Sequence, residues 1–544
     1  MPKAGDWVKL KKGGFTWRLR PGVSKDIVDR MLALRDGDLT DAEEIKKNPS
    51  RAVFRLSSDE GPALYIKWHR FRGLGDAVLS LFRGTRARRE WRISLVLEQA
   101  GIRIPEVQLI GLRRRCGLPM ESFLATREVP GIALKKWVQV MLVSDKPSDV
   151  SRRHRIASAL GNLVRRLHEN AVSHPDLHSD NILVDETTGN LCLLDLHAAK
   201  EVGAISGFRR AQNLAVLYNA LSVPGVTAAD RVRFAKAYLG PEWNRQALIK
   251  LVQDVQIMSN ILRRRRLRSR SRRCVVNSSA YTNQRTSLGK VYRKRTMTLD
   301  QIRKAIELHR EVLSGKVQGR TFKKDTKTNV TLIPWNGTLE ASELCVKEFV
   351  RGGLRQWLPK RLRHRPAMAA WRASLGLAVR GVPAPEAFAL VMGKGRSSYV
   401  IMDALTSAIP LDLYLRRHMG SNRPVSIRRA FVGVAADFLV KCYTSNICHY
   451  DLKAKNILVR EAERGQWDFF LIDLEAVRFP NQLPYEVKLL NLAQLNASTP
   501  LELTWTDRMR LLRKLAVTAP ALGERSAMDT IKRLTLNRDC QWQR

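Results

Sequence analysis

The chain has 544 residues, 44% of them apolar, which is enough to bury the cores of roughly two to four domains and excludes a disordered tail. Lysine and arginine number 95 against 51 acidic residues, a formal charge of +44, so the favoured partners are anionic: nucleic acid, a membrane surface or a phosphorylated substrate. No run approaches the roughly 18 apolar residues of a membrane span. The opening MPKAGDWVKLKKGG lacks the apolar stretch of a secretory signal, and the seven cysteines form no CxxC pair, all of which points to a cytoplasmic protein.

In chain order, GGFTWRLR (13–20) reads as a short strand, and SKDIVDRMLALRD (24–36) as a helix with Ile27, Met31 and Leu34 on one face. ALYIKW (63–68) is a strand whose apolar residues bracket Lys67. RARREWRISLVLEQAG (86–101) is a helix closed by glycine, with Trp91, Leu95 and Leu97 or Glu98 marking its apolar side. A second helix, IASALGNLVRRLHEN (156–170), leads into HPDLHSDNILVD (174–185). LCLLDL (191–196) is a short buried strand that delivers Asp195 at its end. RRRRLRSRSRR (263–273), eight arginines in eleven residues, reads either as a solvated linker or helix end, or as a patch for anionic lipid or nucleic acid.

Beyond that run the same order returns. LGKVYRKR (288–295) and TLDQIRKAIELHREV (298–312) repeat the opening strand and helix, the latter with Ile302, Ile306 and Leu308 on its apolar side. LCVKEFV (344–350) sets Lys347 against Lys67, GVPAPEAFAL (381–390) matches GIRIPEVQLI (101–110), and HYDLKAKNILVR (449–460) matches the histidine-containing loop. FFLIDLEAVR (469–478) sets Asp473 against Asp195, and LNLAQL (490–495) matches QNLAVL (212–217). Five blocks in one order at nearly constant offset are a tandem duplication. The domains are expected at 1–262 and 275–544, with an Arg-rich linker at 263–274.

The order within each repeat predicts an α+β architecture: two tandem protein-kinase-like domains, each with a small β-rich N-lobe and a mostly helical C-lobe. Transfer of a γ-phosphoryl group needs a proton acceptor, a cation on the phosphates and a divalent metal. Asp176 and Asp451 are the expected catalytic groups. Asn181 with Asp195, and Asn456 with Asp473, offer the hard oxygens that suit Mg²⁺. Lys67 and Lys347 are expected on the α- and β-phosphates of ATP, Lys67 steadied by Glu90. Aligning Trp371 with Trp91 puts Ala370 where Glu90 stands, so either another acid steadies Lys347 or the second site is weak or inactive.

The strand lysine in VKEF, the GIRIPE and GVPAPE segments, and LLDLHAA at 193–199 together resemble the lipopolysaccharide kinase family, the WaaP, Kdo-kinase and InaA-like group. The resemblance covers both halves of the chain. It implies a kinase-like fold and transfer of phosphate from ATP to a sugar hydroxyl of lipopolysaccharide core at the inner face of the bacterial inner membrane. HPDLHSDNILV is also similar to aminoglycoside and choline phosphotransferases. The chain departs from the pattern in reading Asp-Leu-Glu at 473–475 and in having no glycine-rich GxGxxG loop, so other backbone must cover the phosphates. No APE segment follows either aspartate, which argues for a glycolipid or small-molecule acceptor rather than a peptide. The excess positive charge fits peripheral attachment to an anionic membrane. A kinase-like enzyme on another acceptor, and a second repeat that is a non-catalytic scaffold, are the alternatives. Nucleic acid is set aside as the main partner because no RNA- or DNA-reading motif is present.

Overall fold

The computed structural model describes residues 6–57, 61–71, 80, 84–142, 146–223, 225–337, 342–350, 365–420, 422–463 and 465–538; Cys540 lies outside them. The chain divides into two compact units, residues 1–263 and 264–544. Among the described residues no helix is long and apolar enough to cross a membrane.

The first unit opens with strands β1 (Val8–Lys12) and β2 (Phe15–Leu19), a helix Ile27–Asp36, and strands β3 (Ala42–Asn48), β4 (Arg51–Leu56) and β5 (Leu64–Arg70). Helix Arg86–Gln99 follows, then β6 (Val107–Arg115) and β7 (Leu118–Arg127). The seven strands form one antiparallel sheet in the order β1-β2-β6-β7-β5-β4-β3. Alternation builds it: Ala52, Phe54 and Leu56 of β4 are buried and the residues between them are not. They pack with Trp17, Met31, Leu34, Ile66, Trp68 and Phe123 on one face of the sheet. The buried stripe of the first helix is Val28, Met31 and Leu34, so the spacing of three starts one residue later than Ile27. Lys67, between Ile66 and Trp68, therefore faces the opposite side. Helix Arg86–Gln99 covers that side, packing Ala87 and Trp91 on Val107, Ile110 and Leu124. Thr85 caps this helix, its hydroxyl accepting from the Arg88 N–H at 3.2 Å.

The helical part of the unit is built on Pro147–Glu169, whose Leu160, Val164 and Leu167 share a core with Leu214, Leu217 and Tyr238. Short strands Ile182–Val184 and Leu191–Leu193 join the same core and pair antiparallel, with Ile182 opposite Leu193. The last helix, Arg245–Ser271, runs through most of the arginine run. Arginine is a good helix former, and like-charge neighbours one turn apart cost only a few tenths of a kcal/mol each, so the charge does not break the helix.

The second unit repeats the plan. Its sheet runs Tyr281–Thr286, Gly289–Lys294, Ala387–Gly393, Ser397–Asp403, Glu343–Val350, Thr328–Pro334, Arg320–Lys324, the same order of first to seventh strand as in the first sheet. Helix Leu299–Ser314 begins at a capping box of Thr298 and Gln301, and Arg365–Val379 takes the place of Arg86–Gln99. Ile302, Ala305, Ile306, His309 and Val312 are the buried side of the former. Val425–Thr444, Tyr485–Ser498, Trp505–Thr518 and Arg525–Leu536 form the helical part.

Candidate active site

In the first unit three sequence-singled residues meet. Lys67 on β5 donates to Glu90 Oε1 and lies 3.0 Å from Asp195 Oδ1. Glu90 comes from the covering helix and is 3% exposed. Asp195 follows strand Leu191–Leu193 in a left-handed conformation, φ 49°, that a non-glycine residue adopts only under constraint. His197 Nδ1 lies 3.0 Å from the same Asp195 oxygen, and the Arg51 guanidinium 3.7 Å away. Burial opposes charge here, but the two carboxylates outweigh it and hold the Lys67 ammonium above its ordinary range. Asp195 is likewise held far below a normal carboxylate, His197 and Lys67 together overcoming burial, and contact with Asp195 raises His197.

Asp176 and Asn181 sit on the loop between Val172–Ser173 and Ile182–Val184. Asn181 Nδ2 donates to the Asp176 carbonyl at 3.0 Å, which leaves its Oδ1 lone pairs to accept a hydrogen bond or to ligate a cation. Its own backbone carbonyl accepts from Leu194 N–H at 2.7 Å, so the asparagine is registered against the residue before Asp195.

The second unit has the same frame. Asn456 Nδ2 donates to the Asp451 carbonyl at 2.8 Å, and Asn456 O accepts from Ile472 N–H at 3.0 Å, again one residue before the strand-end aspartate. Asp473 is left-handed too, φ 58°. Lys347 lies 2.6 Å from Asp473 Oδ1 and 2.5 Å from Glu475 Oε1. Ala370, at the place of Glu90, is buried, 1% exposed. The acid missing from the helix is supplied by Glu475, which the sequence presents only as a departure from Asp-Leu-His. Burial, the facing Asp473 and the opposing Lys347 charge leave Glu475 above a normal carboxylate. Asp473 itself stays below its usual range, because Lys347 outweighs its burial. Lys453 pairs with Asp451 at 2.9 Å, where the first unit has His178 3.6 Å from Asp176.

A model of the lipopolysaccharide kinase (Kdo/WaaP) family matches residues 50–238 and 329–514, one stretch in each unit and together more than half of the chain. The chain belongs to the lipopolysaccharide kinase family. Membership makes it an ATP-dependent kinase, and the family match falls on both units of its α+β architecture. It is 26% identical over 216 residues to the lipopolysaccharide core heptose(I) kinase WaaP of Pseudomonas aeruginosa, across 38% of this chain and 77% of that protein. The Escherichia coli K12 enzyme of the same name is 24% identical over 231 residues, across 40% of this chain and 84% of its own length. Among solved structures, WaaP in complex with acyl carrier protein covers 44% of this chain and 98% of its own, with 22% identity and a TM-score of 0.34. The kinase domain of a Toxoplasma gondii specific rhoptry antigen covers 40% and 83%, with 14% identity and a TM-score of 0.27.

Two asparagines that no motif singles out brace the loops of this kinase. Asn213, fully buried, accepts from His174 N–H at 2.9 Å through its Oδ1. Asn491 donates to His449 O at 2.8 Å. Their signal in the sequence is the shared Asn-Leu-Ala of QNLAVL and LNLAQL. The hairpin beside each lysine strand also turns without glycine: Asn48 Oδ1 accepts from Ser50 and Arg51 N–H at 3.1 and 2.8 Å, and Asp325 Oδ1 from Lys327 and Thr328 N–H at 2.7 and 2.6 Å. A side-chain oxygen closing the turn does what a glycine's free backbone does elsewhere.

Proposed function

We propose that this kinase transfers the γ-phosphoryl group of ATP to a hydroxyl of a lipopolysaccharide core sugar or a related glycolipid. The observation that carries the reading is the same convergence in both family-matched units: a strand lysine held by a strand-end aspartate, registered against an Asp–Asn loop. Asp176 and Asp451 would take the hydroxyl proton as the acceptor oxygen bonds to the γ-phosphorus and the bond to the β,γ-bridging oxygen breaks, releasing ADP. Lys67, steadied by Glu90, and Lys347 would hold the phosphates, with the hairpin tips at 48–51 and 325–328 covering them. Asn181 with Asp195, and Asn456 with Asp473, fit Mg²⁺: each amide nitrogen is tied back to a carbonyl, leaving an amide oxygen and a carboxylate for a hard cation. When bound, the metal supplies neutralisation of the phosphate charge.

Both curated relatives are named as core heptose kinases, which supports a core sugar as acceptor. The +44 charge supports work at an anionic membrane surface, as a cytoplasmic protein peripheral to the inner face of the inner membrane. A second reading, in which the second unit is a scaffold, is favoured by one observation, the loss of the helix carboxylate at Ala370.

The test is Asp176→Ala and Asp451→Ala, singly and together, assayed for ATP-dependent phosphate incorporation into purified core glycolipid. Mass spectrometry of core glycolipid from cells lacking the chain identifies the acceptor. Each single variant is expected to lose one activity, and the pair at least about a hundredfold of the total. Full turnover in the double variant would remove the aspartates from the mechanism, and a core glycolipid that keeps every phosphate without the chain would remove the acceptor.

A further inference from the structure

The two clefts differ by a reciprocal exchange. In the first, the acid on the lysine comes from the covering helix, Glu90, and the third residue of the Asp-Leu-His turn is the base His197, set against Asp195. In the second, the helix contributes Ala370 and the third residue of the turn is Glu475, set on Lys347. Helix and turn abut in both units, Arg86–Gln99 against 196–198 and Arg365–Val379 against 474–476, so an acid from either element reaches the same ammonium.

The outcome at the lysine is the same in three respects. Lys67 and Lys347 are equally enclosed, each side chain 13% exposed. Each touches one aspartate and one glutamate. Glu90 Oε2 and Glu475 Oε2 are both left buried without a hydrogen-bond partner. Either half of the exchange alone would be costly. A glutamate at 370 beside Glu475 would crowd a third carboxylate onto one ammonium, and a histidine at 475 beside Ala370 would leave that ammonium with Asp473 alone. A cleft that had lost its function could lose the buried lysine together with its acids, whereas this one keeps the lysine and draws the acid from another element. A nucleotide site needs both, because with Asp473 given over to a metal the lysine would still require an anion to hold it toward the phosphates.

We infer that the second cleft is a working site for a metal-bound adenine nucleoside triphosphate, in which Glu475 is the positioning residue that replaces Glu90. This rests on the kinase reading above and deepens it by naming Glu475 as the acid on which nucleotide binding in the second cleft depends.

The experiment is calorimetric titration of the full chain with MgATP. The wild-type chain binds two equivalents, and Lys67→Met, which disables the first cleft, leaves one. In that background Glu475→Gln, nearly the same shape without the charge, weakens the remaining site about tenfold to a hundredfold. Glu475→His with Ala370→Glu, which transplants the first cleft's arrangement, restores it to within about threefold, while Glu475→His alone does not. Melting curves of each variant separate loss of the site from loss of the fold. Two outcomes overturn the inference and leave the kinase reading standing: a single wild-type equivalent abolished by Lys67→Met, or unchanged affinity in Glu475→Gln. Failure of the exchange to restore binding overturns the replacement. Absence of any nucleotide binding removes the kinase reading together with it.

Discussion

His168 enters the folded first unit as a neutral ring with a defined tautomer. Its Nε2 donates to Asn213 Oδ1 at 3.3 Å, and its Nδ1 accepts from the Tyr238 hydroxyl at 2.9 Å. The same Asn213 oxygen holds His174, so a buried chain ties the long helix to the Asp176 loop. Burial pushes His168 and His174 down to about 4 from an ordinary 6.5. Above pH 6.5 both rings are neutral folded or unfolded and contribute no pH dependence. Below it the unfolded chain takes up protons that the folded one refuses until about pH 4, so stability falls through that window, by on the order of 3 kcal/mol per ring. Thermal melting between pH 7 and 4 should show this decline, and His168→Gln, which removes one titrating ring, should make it shallower. Parallel profiles for the two proteins would refute the assignment. Lys67, Asp176, Asn181 and Asp195 were legible in the sequence because spacing and duplication mark them. Asn213 and Glu475 were not. Asn213 acts on a main chain 39 residues away, and Glu475 matters only because a helix about a hundred residues upstream lies over it.

At the scale of elements, the Asp176 loop is only as well placed as the helix that leads into it. Pro147–Glu169 packs on Ala228–Leu239 with Gly161 at the contact. In an exposed helix, alanine in place of glycine gains about 1 kcal/mol. Here a Cβ on Gly161 would stand 2.3 Å from the Phe234 carbonyl oxygen and 3.0 Å from Tyr238 N, both backbone atoms that can yield only if the helices part. The sign should therefore reverse: Gly161→Ala is expected to lose about 1–3 kcal/mol in urea unfolding and to reduce turnover at the first cleft. A stabilised variant would contradict the packing. The helices and the lysine strand follow from periodicity. The place of β1 and β2 at the far edge of the sheet, beside β6, does not, because pairing partners are chosen by tertiary packing and an alternating pattern names only the buried face.

For the whole molecule, the duplication doubles the cleft while the charge stays one-sided, and the two bear on where the kinase meets its substrate. The glycolipid acceptor proposed above would be held in a membrane, and among the described residues no helix is long and apolar enough to cross one. A net charge of +44 would favour attraction to the anionic surface of that membrane. The densest charge lies at 263–273, where seven of the eight arginines are exposed and only Arg264 is half-buried. At helical spacing these residues point around more than one side of Arg245–Ser271, so the run has no apolar face to insert between lipids. Binding through it would be electrostatic, at about 1 kcal/mol per basic residue near an anionic leaflet, and would disappear when salt shortens the Debye length to about 3 Å near 1 M. The full chain should float with phosphatidylglycerol-containing vesicles at low salt, stay behind near 1 M salt, and ignore neutral vesicles. Arg263→Glu, Arg265→Glu, Arg266→Glu and Arg270→Glu together should weaken the low-salt binding by at least about tenfold while leaving MgATP titration of both clefts unchanged. Salt-resistant flotation, or equal binding to neutral vesicles, would point instead to an apolar contact and refute the electrostatic one.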